Sequence, residues 1–171
     1  MPLRVWLHSP ELASRAQTLG EFCRYGTTLP PALSELAILI VGAHWRASYE
    51  FQVHAQAARH AGLDCAILDD LSAGSRPTTM SKNETALYEF TTALLSVHRV
   101  PEDIYEIARQ TLGETTLVEI VGILGYYSLI CMTIKYPSEQ SRRILGAARG
   151  NVGSWRSMRT RSTMPFWRCY G

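Results

Sequence analysis

The stretch from residue 35 to residue 60 constrains the fold of this chain more than any other. Its apolar residues recur at helical spacing, and Ile38 and Leu39 fill the remaining face, so the first half predicts a helix that is apolar nearly all round. Such a helix is buried, or it packs on both a core and a subunit partner. The second half places Glu50 and His54 four residues apart, on one helical face. A carboxylate beside an imidazole among apolar residues is a candidate proton-transfer pair.

Helix signals recur along the rest of the chain, and no segment shows the period-2 alternation of a strand. Start signals are a Ser-Pro-Glu sequence at residues 9–11, Asp64 as a cap, and a capping box formed by Ser81 and Glu84. Gly62 ends the second helical unit, within which a break is expected near residues 46–48. The last regular helix is predicted from about Thr115 to Ile134. The sequence therefore predicts an all-α fold of about six helices.

The charge distribution divides the chain into two parts. From Lys135 onward there are 8 Lys and Arg residues and 1 Glu, whereas the preceding residues are net acidic. Apolar periodicity also fades after residue 136. We therefore predict a helical domain at residues 1–136 and a basic, poorly ordered or weakly helical tail at 137–171. The tail's charge would suit nucleic acid or an anionic surface, but a solvated tail without a specific role is the favoured interpretation.

The cysteines and the apolar runs indicate the compartment. Cys23, Cys65, Cys131 and Cys169 form no CxxC pair and match neither a zinc module nor a dense disulfide framework. The N-terminal residues lack the apolar core of a signal peptide. No apolar run is expected to be long enough to span a bilayer, and the run at residues 37–43 stops at His44 and Arg46. We expect a cytoplasmic protein that does not bind a membrane. The net charge of the whole chain, only +2, does not predict nucleic-acid binding.

Three segments together resemble one known family. They are LPPALSELAIL, HWRASYEFQVHA and AGL, all between residues 29 and 63. The pattern resembles the carboxymuconolactone decarboxylase family, whose fold is shared with the alkylhydroperoxidase D (AhpD) proteins, and the resemblance extends from Trp6 to about Thr133. It implies an AhpD-like helical bundle that assembles into homo-oligomers, commonly trimers or hexamers. It also implies an active site under the central helices and near subunit contacts.

The peroxidase branch of this fold resembles the chain only in part. That branch uses a Glu, then eleven residues, a CxxC motif, three residues, a His, three residues and an Ala. Glu35, His54 and Ala58 fit this pattern, but the two cysteine positions hold Ala47 and Glu50. A dithiol peroxidase needs a nucleophilic thiolate and a resolving thiol. Peroxiredoxin-type activity is therefore disfavoured for this chain.

The decarboxylase side of the family lacks the CxxC motif as well, and keeps a Glu and a His that Glu50 and His54 resemble. It implies a cofactor-free lyase acting on a small lactone or keto acid, with neither a metal nor an organic cofactor. In this hypothesis His54 is the acid/base and Glu50 fixes its tautomer. Glu35 would be a second buried carboxylate in the relay. No HExxH or comparable spacing predicts a metal site.

Four neighbouring side chains complete the predicted site. His44 or Arg46 would hold the substrate carboxylate, and Trp45 and Tyr49 would form the pocket walls. The competing interpretation makes Glu50 and His54 a structural pair that satisfies two buried polar groups. The chain would then be a non-catalytic, oligomeric member of the family. Both hypotheses are carried forward.

Overall fold

The computed structural model describes residues 2–136, and the predicted tail at 137–171 lies outside the described residues. Every regular element within residues 2–136 is helical, which confirms the all-α prediction. Residues 2–136 form seven α-helices rather than the expected six or so. They are α1 (Pro10–Glu21), α2 (Pro31–His44), α3 (Ser48–His60), α4 (Cys65–Ser72), α5 (Lys82–Ser96), α6 (Glu102–Leu112) and α7 (Glu114–Lys135). A 3-10 helix, Pro2–His8, precedes α1, and a π turn, Phe22–Gly26, follows it.

Helix α2 is the centre of the fold. Its ten residues from Leu33 to Gly42 are all buried, as its uniformly apolar sequence predicts. It packs against α3, α5 and α7, so three helices cover it. Each large apolar side chain buried in this way contributes about 1.5–3 kcal/mol to folding. Glu35 lies inside this buried segment, and its carboxylate is therefore held where water is largely excluded.

The break between α2 and α3 comes from a Schellman motif that reverses the chain. The N–H of Ala47 donates to the carbonyl of Gly42 at 2.8 Å, and the N–H of Arg46 donates to that of Ala43 at 3.0 Å. Arg46 takes the left-handed conformation this motif requires, with φ of 49°. The predicted break near residues 46–48 is thereby confirmed, and it is why the fold has one helix more than expected.

Other helix ends follow their local signals. The Ser81 hydroxyl accepts from the N–H of Glu84, and the Glu84 carboxylate accepts from the N–H of Ser81 at 2.7 Å, which is the predicted capping box. Asp64 accepts from the N–H of Ala66 at 2.9 Å and begins α4. Gly62, with φ of 87°, follows the end of α3. These predictions rest on interactions within a few residues, and the structure confirms them.

Helix α7 crosses the whole bundle and carries ten buried residues. By length and composition it is able to cross a membrane, which differs from the expectation that no apolar run is long enough. Half of its most apolar window is buried inside the fold, and the core helix of a soluble protein passes the same test. Its last turns are tied to the N-terminal 3-10 helix, because the indole N–H of Trp6 donates to the hydroxyl of Thr133 at 2.9 Å. We describe α7 as a core helix.

Candidate active site

Glu35 of α2 and His54 of α3 form the central contact of the candidate site. Glu35 Oε2 lies 2.8 Å from His54 Nδ1, and both residues are buried, with exposed fractions of 8% and 5%. The packing of α2 against α3 brings the two side chains together across a sequence separation of 19 residues. A carboxylate at one nitrogen of a buried imidazole defines the proton on that nitrogen.

Arg24 completes the environment of the Glu35 carboxylate. It lies in the π turn, and its Nη1 is 2.8 Å from Glu35 Oε1. The side chain of Arg24 is 29% exposed, so it connects the buried carboxylate to the surface. Single π turns next to α-helices occur frequently at functional sites. Neither the π turn nor the role of Arg24 was predicted from the sequence.

Glu50 lies at the other nitrogen of His54. Its Oε2 is 3.4 Å from Nε2, and Glu50 is 7% exposed. Glu50 and His54 therefore lie on one face of α3, as predicted. The tautomer, however, is fixed by the shorter contact with Glu35 at Nδ1, not by Glu50. We call Arg24, Glu35, Glu50 and His54 the acid–base cluster.

The hydrogen-bond pattern of the acid–base cluster assigns its protons. Arg24 Nη1 also approaches His54 Nδ1, at 3.0 Å, and an arginine only donates. A lone pair on Nδ1 would face the Glu35 carboxylate at 2.8 Å, where two acceptors repel. The consistent arrangement has Nδ1–H donating to one oxygen of Glu35 while Arg24 donates to the other. Nε2 is then the nitrogen at which His54 gains or loses its second proton.

The electrostatics of the acid–base cluster favour the protonated imidazole. Burial of the ring works against the charged form, but hydrogen bonds and charge from Glu35 and Glu50 outweigh it, so the pKa of His54 is raised. With both carboxylates ionised, Arg24 and an imidazolium balance them, and the buried group is neutral overall. A neutral imidazole would leave one uncompensated negative charge. The raised pKa of His54 therefore favours a proton at Nε2, the nitrogen beside Glu50.

Two tyrosines of α7 pack beside this cluster. The rings of Tyr127 and His54 are perpendicular, at 89°, with centroids 5.0 Å apart. The ring of Tyr126 packs perpendicularly on that of Tyr127 at 5.3 Å. Burial raises the pKa of both phenols, so both hydroxyls remain protonated at neutral pH. The sequence alone allows either tyrosine to reach the pocket or a subunit interface, and the structure places Tyr127 against His54.

The cysteines of the described region differ from those of a dithiol peroxidase. Ala47 precedes α3 and Glu50 lies in its first turn, where a CxxC motif would place its thiols. Cys23 and Cys131 are buried free thiols elsewhere in the core. Burial raises the pKa of Cys23, and burial together with the negative charge of Glu50 raises the pKa of Cys131 to about 12. Both therefore remain thiols at neutral pH, and a thiol is a poor nucleophile.

The other predicted site residues lie at the end of α2 and the start of α3. His44 and Arg46 are exposed, and the carbonyl of Arg46 accepts from Lys135 Nζ at 3.5 Å. Trp45 is partly buried, and its indole N–H donates to Ser128 Oγ at 3.1 Å. Tyr49 is partly buried against the core. Within residues 2–136, no hydrogen bond, ion pair or ring contact joins these four side chains to His54. Their substrate-binding roles stay predictions.

The described residues contain no group of three or more His, Cys, Asp or Glu side chains with the geometry to hold a metal ion. The carboxylates of the acid–base cluster contact an imidazole and a guanidinium instead of converging on an empty position. The chemistry available to these side chains is proton transfer.

Comparison with known proteins identifies the fold. No protein-family model and no curated protein matches the chain. A solved structure does: a protein of unknown function from Agrobacterium tumefaciens, for which the name antioxidant defence protein AhpD has been suggested. The TM-score is 0.68 at 17% sequence identity, over 80% of this chain and 94% of the other. The chain therefore has an AhpD-like, all-α fold, in which Arg24 lies at the partly exposed edge of a buried Glu–His–Glu group.

Proposed function

We propose that the protein is a cofactor-free lyase that removes CO2 from a small lactone acid or keto acid by acid–base catalysis. The observation that carries the proposal is the position of His54 between two carboxylates, with a raised pKa and its Nε2 directed to Glu50. A general acid is most effective when its pKa lies near the working pH. The family resemblance supplies the class of substrate.

The reaction requires one proton to be delivered to carbon. As the bond to the departing carboxylate breaks, its electron pair moves into the adjacent carbonyl or conjugated lactone system and CO2 leaves. The protonated Nε2 of His54 then gives its proton to the carbon that has lost CO2. Glu50, 3.4 Å from Nε2, relays a proton from solvent to restore the imidazolium. Glu35 accepts from Nδ1–H throughout, Arg24 balances the charge of Glu35, and neither side chain takes part in the proton transfer.

The supporting role of Glu35 differs from the one assigned by sequence. A carboxylate on Nδ1 stabilises an imidazolium and fixes ring orientation, as in other catalytic histidines. Arg24 balances the charge of that carboxylate, and its exposed part is the member of the cluster nearest to solvent. The exposed part of the Arg24 guanidinium would attract a small anionic substrate to the edge of the cluster.

The test is an assay of CO2 release across a panel of small lactone acids and β-keto acids. We expect turnover by the wild-type chain and a loss of at least about 100-fold in kcat for His54→Ala, which removes the general acid. Glu50→Gln keeps the shape of its side chain and should lower kcat with a smaller effect on KM. His98→Ala, an exposed histidine on the loop after α5, is the matched control. An unchanged rate for His54→Ala would overturn the proposal.

A non-catalytic role is the second candidate, and the charge balance of the cluster favours it specifically. Three buried ionisable groups and the partly exposed Arg24, which neutralise one another, also satisfy the requirement that buried charges be paired. A wild-type chain that releases no CO2 from the panel, while His54→Ala lowers the free energy of unfolding, would establish this alternative. The cytoplasmic location predicted from the sequence is common to both candidates.

We also propose that the chain forms homo-oligomers, as the family resemblance implies. The exposed face of α7 supports this, because Val118, Val121 and Met132 are 66%, 47% and 48% exposed and recur at helical spacing. Exposed apolar side chains in such a row are typical of subunit contacts. Sedimentation velocity should show a trimer or hexamer for the wild-type chain, and a stable monomer would contradict the proposal.

A further inference from the structure

Tyr127 contacts His54 but is not one of the proton-transfer groups. It lies on α7 and is 6% exposed, and its ring is perpendicular to the imidazole at a centroid distance of 5.0 Å. Perpendicular aromatic pairs at this distance are favourable beyond the area they bury. The tyrosine hydroxyl faces the Arg24 guanidinium, whose charge and hydrogen bonding oppose the effect of burial on the phenol pKa.

The geometry of His54 leaves one degree of freedom that its hydrogen bonds do not fix. The imidazole turns about its Cβ–Cγ bond, and the short contact with Glu35, at 2.8 Å, restrains Nδ1 alone. The contact of Nε2 with Glu50 is long, at 3.4 Å, so it restrains this rotation only weakly. A rigid group packed on the ring removes this freedom, and Tyr127 is such a group.

We propose that Tyr127 is a positioning residue that holds the imidazole of His54 in the plane from which Nε2 reaches Glu50. Its packing is a property of the fold, and its effect on a rate rests on the proposed function. The groups facing His54 come from four elements: Arg24 of the π turn, Glu35 of α2, Glu50 of α3 and Tyr127 itself. Tyr127 is the uncharged member of this set.

The neighbouring tyrosine provides a matched control. Tyr126 is 8% exposed, lies on the same helix and packs perpendicularly on Tyr127, but no ring contact joins it to His54 in the described part of the chain. Replacing either tyrosine by Leu removes a similar buried volume. Only the replacement at Tyr127 removes the ring that contacts the imidazole.

The experiment is an NMR pH titration of the His54 imidazole in the full-length chain and its variants. We expect Tyr127→Leu to lower the pKa of His54 by about half a unit, because the released ring loses part of its contact with Glu50. Tyr127→Phe keeps the ring and should restore the wild-type pKa. Tyr126→Leu should leave it unchanged. If the lyase is active, Tyr127→Leu should also lower kcat about threefold with KM unchanged.

Three results would overturn the positioning role: an unchanged His54 pKa in Tyr127→Leu, an equal shift in Tyr126→Leu, or an equal shift in Tyr127→Phe. If Tyr127→Leu does not fold, the contact is tested in the wild-type chain instead. Nuclear Overhauser effects between the Tyr127 and His54 rings must then be present, and their absence would contradict the contact. Absence of CO2 release with the expected pKa shifts would reject the lyase but keep the positioning role.

Discussion

Glu35 contacts His54 at 2.8 Å through Oε2 and Nδ1, although the two residues lie on different helices with a reversed turn between them. The other oxygen of the same carboxylate contacts Arg24, also at 2.8 Å. One buried carboxylate thus joins a partly exposed cation to a buried imidazole. It assigns the Nδ1 proton and leaves Nε2 for chemistry.

The raised pKa of His54 makes folding stability depend on pH. An ordinary histidine in the unfolded chain titrates near about pH 6.5, so the excess stability is fully present below that pH. It is lost as the pH rises through the higher pKa of the folded state, at about 1.4 kcal/mol for each unit of difference. Urea unfolding at about pH 6 and about pH 9 should show this loss. The free energy of unfolding of His54→Gln should change less over the same interval, and an equal change would contradict the assignment.

Removing the Glu35 carboxylate should destabilise the fold more than removing that of Glu50. Glu35→Gln leaves the guanidinium of Arg24 without its counter-charge and should cost about 2–3 kcal/mol, below the usual range for a buried pair because Arg24 is partly exposed. Glu50→Gln, whose contact is longer, should cost about 1 kcal/mol. Chemical denaturation measures both. A double-mutant cycle with Arg24→Gln should give a coupling of about 1 kcal/mol or more, and zero coupling would reject the ion pair.

The sequence predicted the helices well because their ends depend on nearby residues. The Ser81 and Glu84 side chains cap a helix three residues apart, and Gly62 provides the left-handed residue at the end of α3. The uniformly apolar composition of α2 likewise predicts its burial. The boundary between α2 and α3 was expected near residues 46–48, where it is observed. Its left-handed residue is Arg46, which has none of the preference of glycine for that conformation.

The candidate site was predicted only where one helix forms it. The pairing of Glu50 with His54 follows from their spacing of four residues. The shorter contact of Glu35 with His54 depends on how α2 packs on α3. Arg24 lies 30 residues before His54, and Tyr127 lies on the last described helix, so their contacts with His54 depend on distant elements. Packing angles between helices are set by the whole core, and no local sequence pattern encodes them.

Arg46 stores backbone strain that a glycine would relieve. Its left-handed conformation costs about 1–2 kcal/mol, and the entropy of glycine in the unfolded chain offsets about 0.5–1 kcal/mol of the gain. Arg46→Gly should therefore raise the free energy of unfolding by about 0.5–1 kcal/mol, measured by urea titration. Arg46→Ala keeps the strain and is the control. If Arg46 binds the substrate carboxylate, both variants raise KM, and an unchanged KM would remove it from the site.

Gly20 is required because α1 packs directly on the ring of Tyr126. A Cβ at this position would coincide with the phenol oxygen and its ring carbon. Tyr126 is buried and has little freedom to move, so Gly20→Ala should destabilise the protein by about 1–3 kcal/mol. Gly125→Ala on α7, where a Cβ would meet no atom within 4 Å, should instead stabilise the helix by about 0.5–1 kcal/mol. Thermal unfolding compares the stability of the two variants directly. A Gly20→Ala variant as stable as the wild type would show that the Tyr126 ring moves aside.

Installing two cysteines tests whether the fold still supports thiol chemistry. Ala47 is the residue before α3, and Glu50 lies in its first turn with its carboxylate 3.4 Å from His54 Nε2. A thiol in the first turn of a helix and beside an imidazolium has a lowered pKa. The Ala47→Cys/Glu50→Cys variant should therefore react with hydroperoxide in the presence of a dithiol, whereas the wild-type chain should not.

The single variants separate the two thiols of this design. Glu50→Cys alone should form a sulfenic acid without turnover, because it lacks a resolving thiol, and Ala47→Cys alone should remain unreactive. Mass spectrometry of the oxidised proteins distinguishes these states. Equal hydroperoxide reduction by the wild-type chain, continuing after replacement of all four cysteines by Ser, would show that the reaction needs neither the motif nor any other thiol of the chain. That result would contradict the conclusion that Ala47 and Glu50 remove peroxidase chemistry from the site.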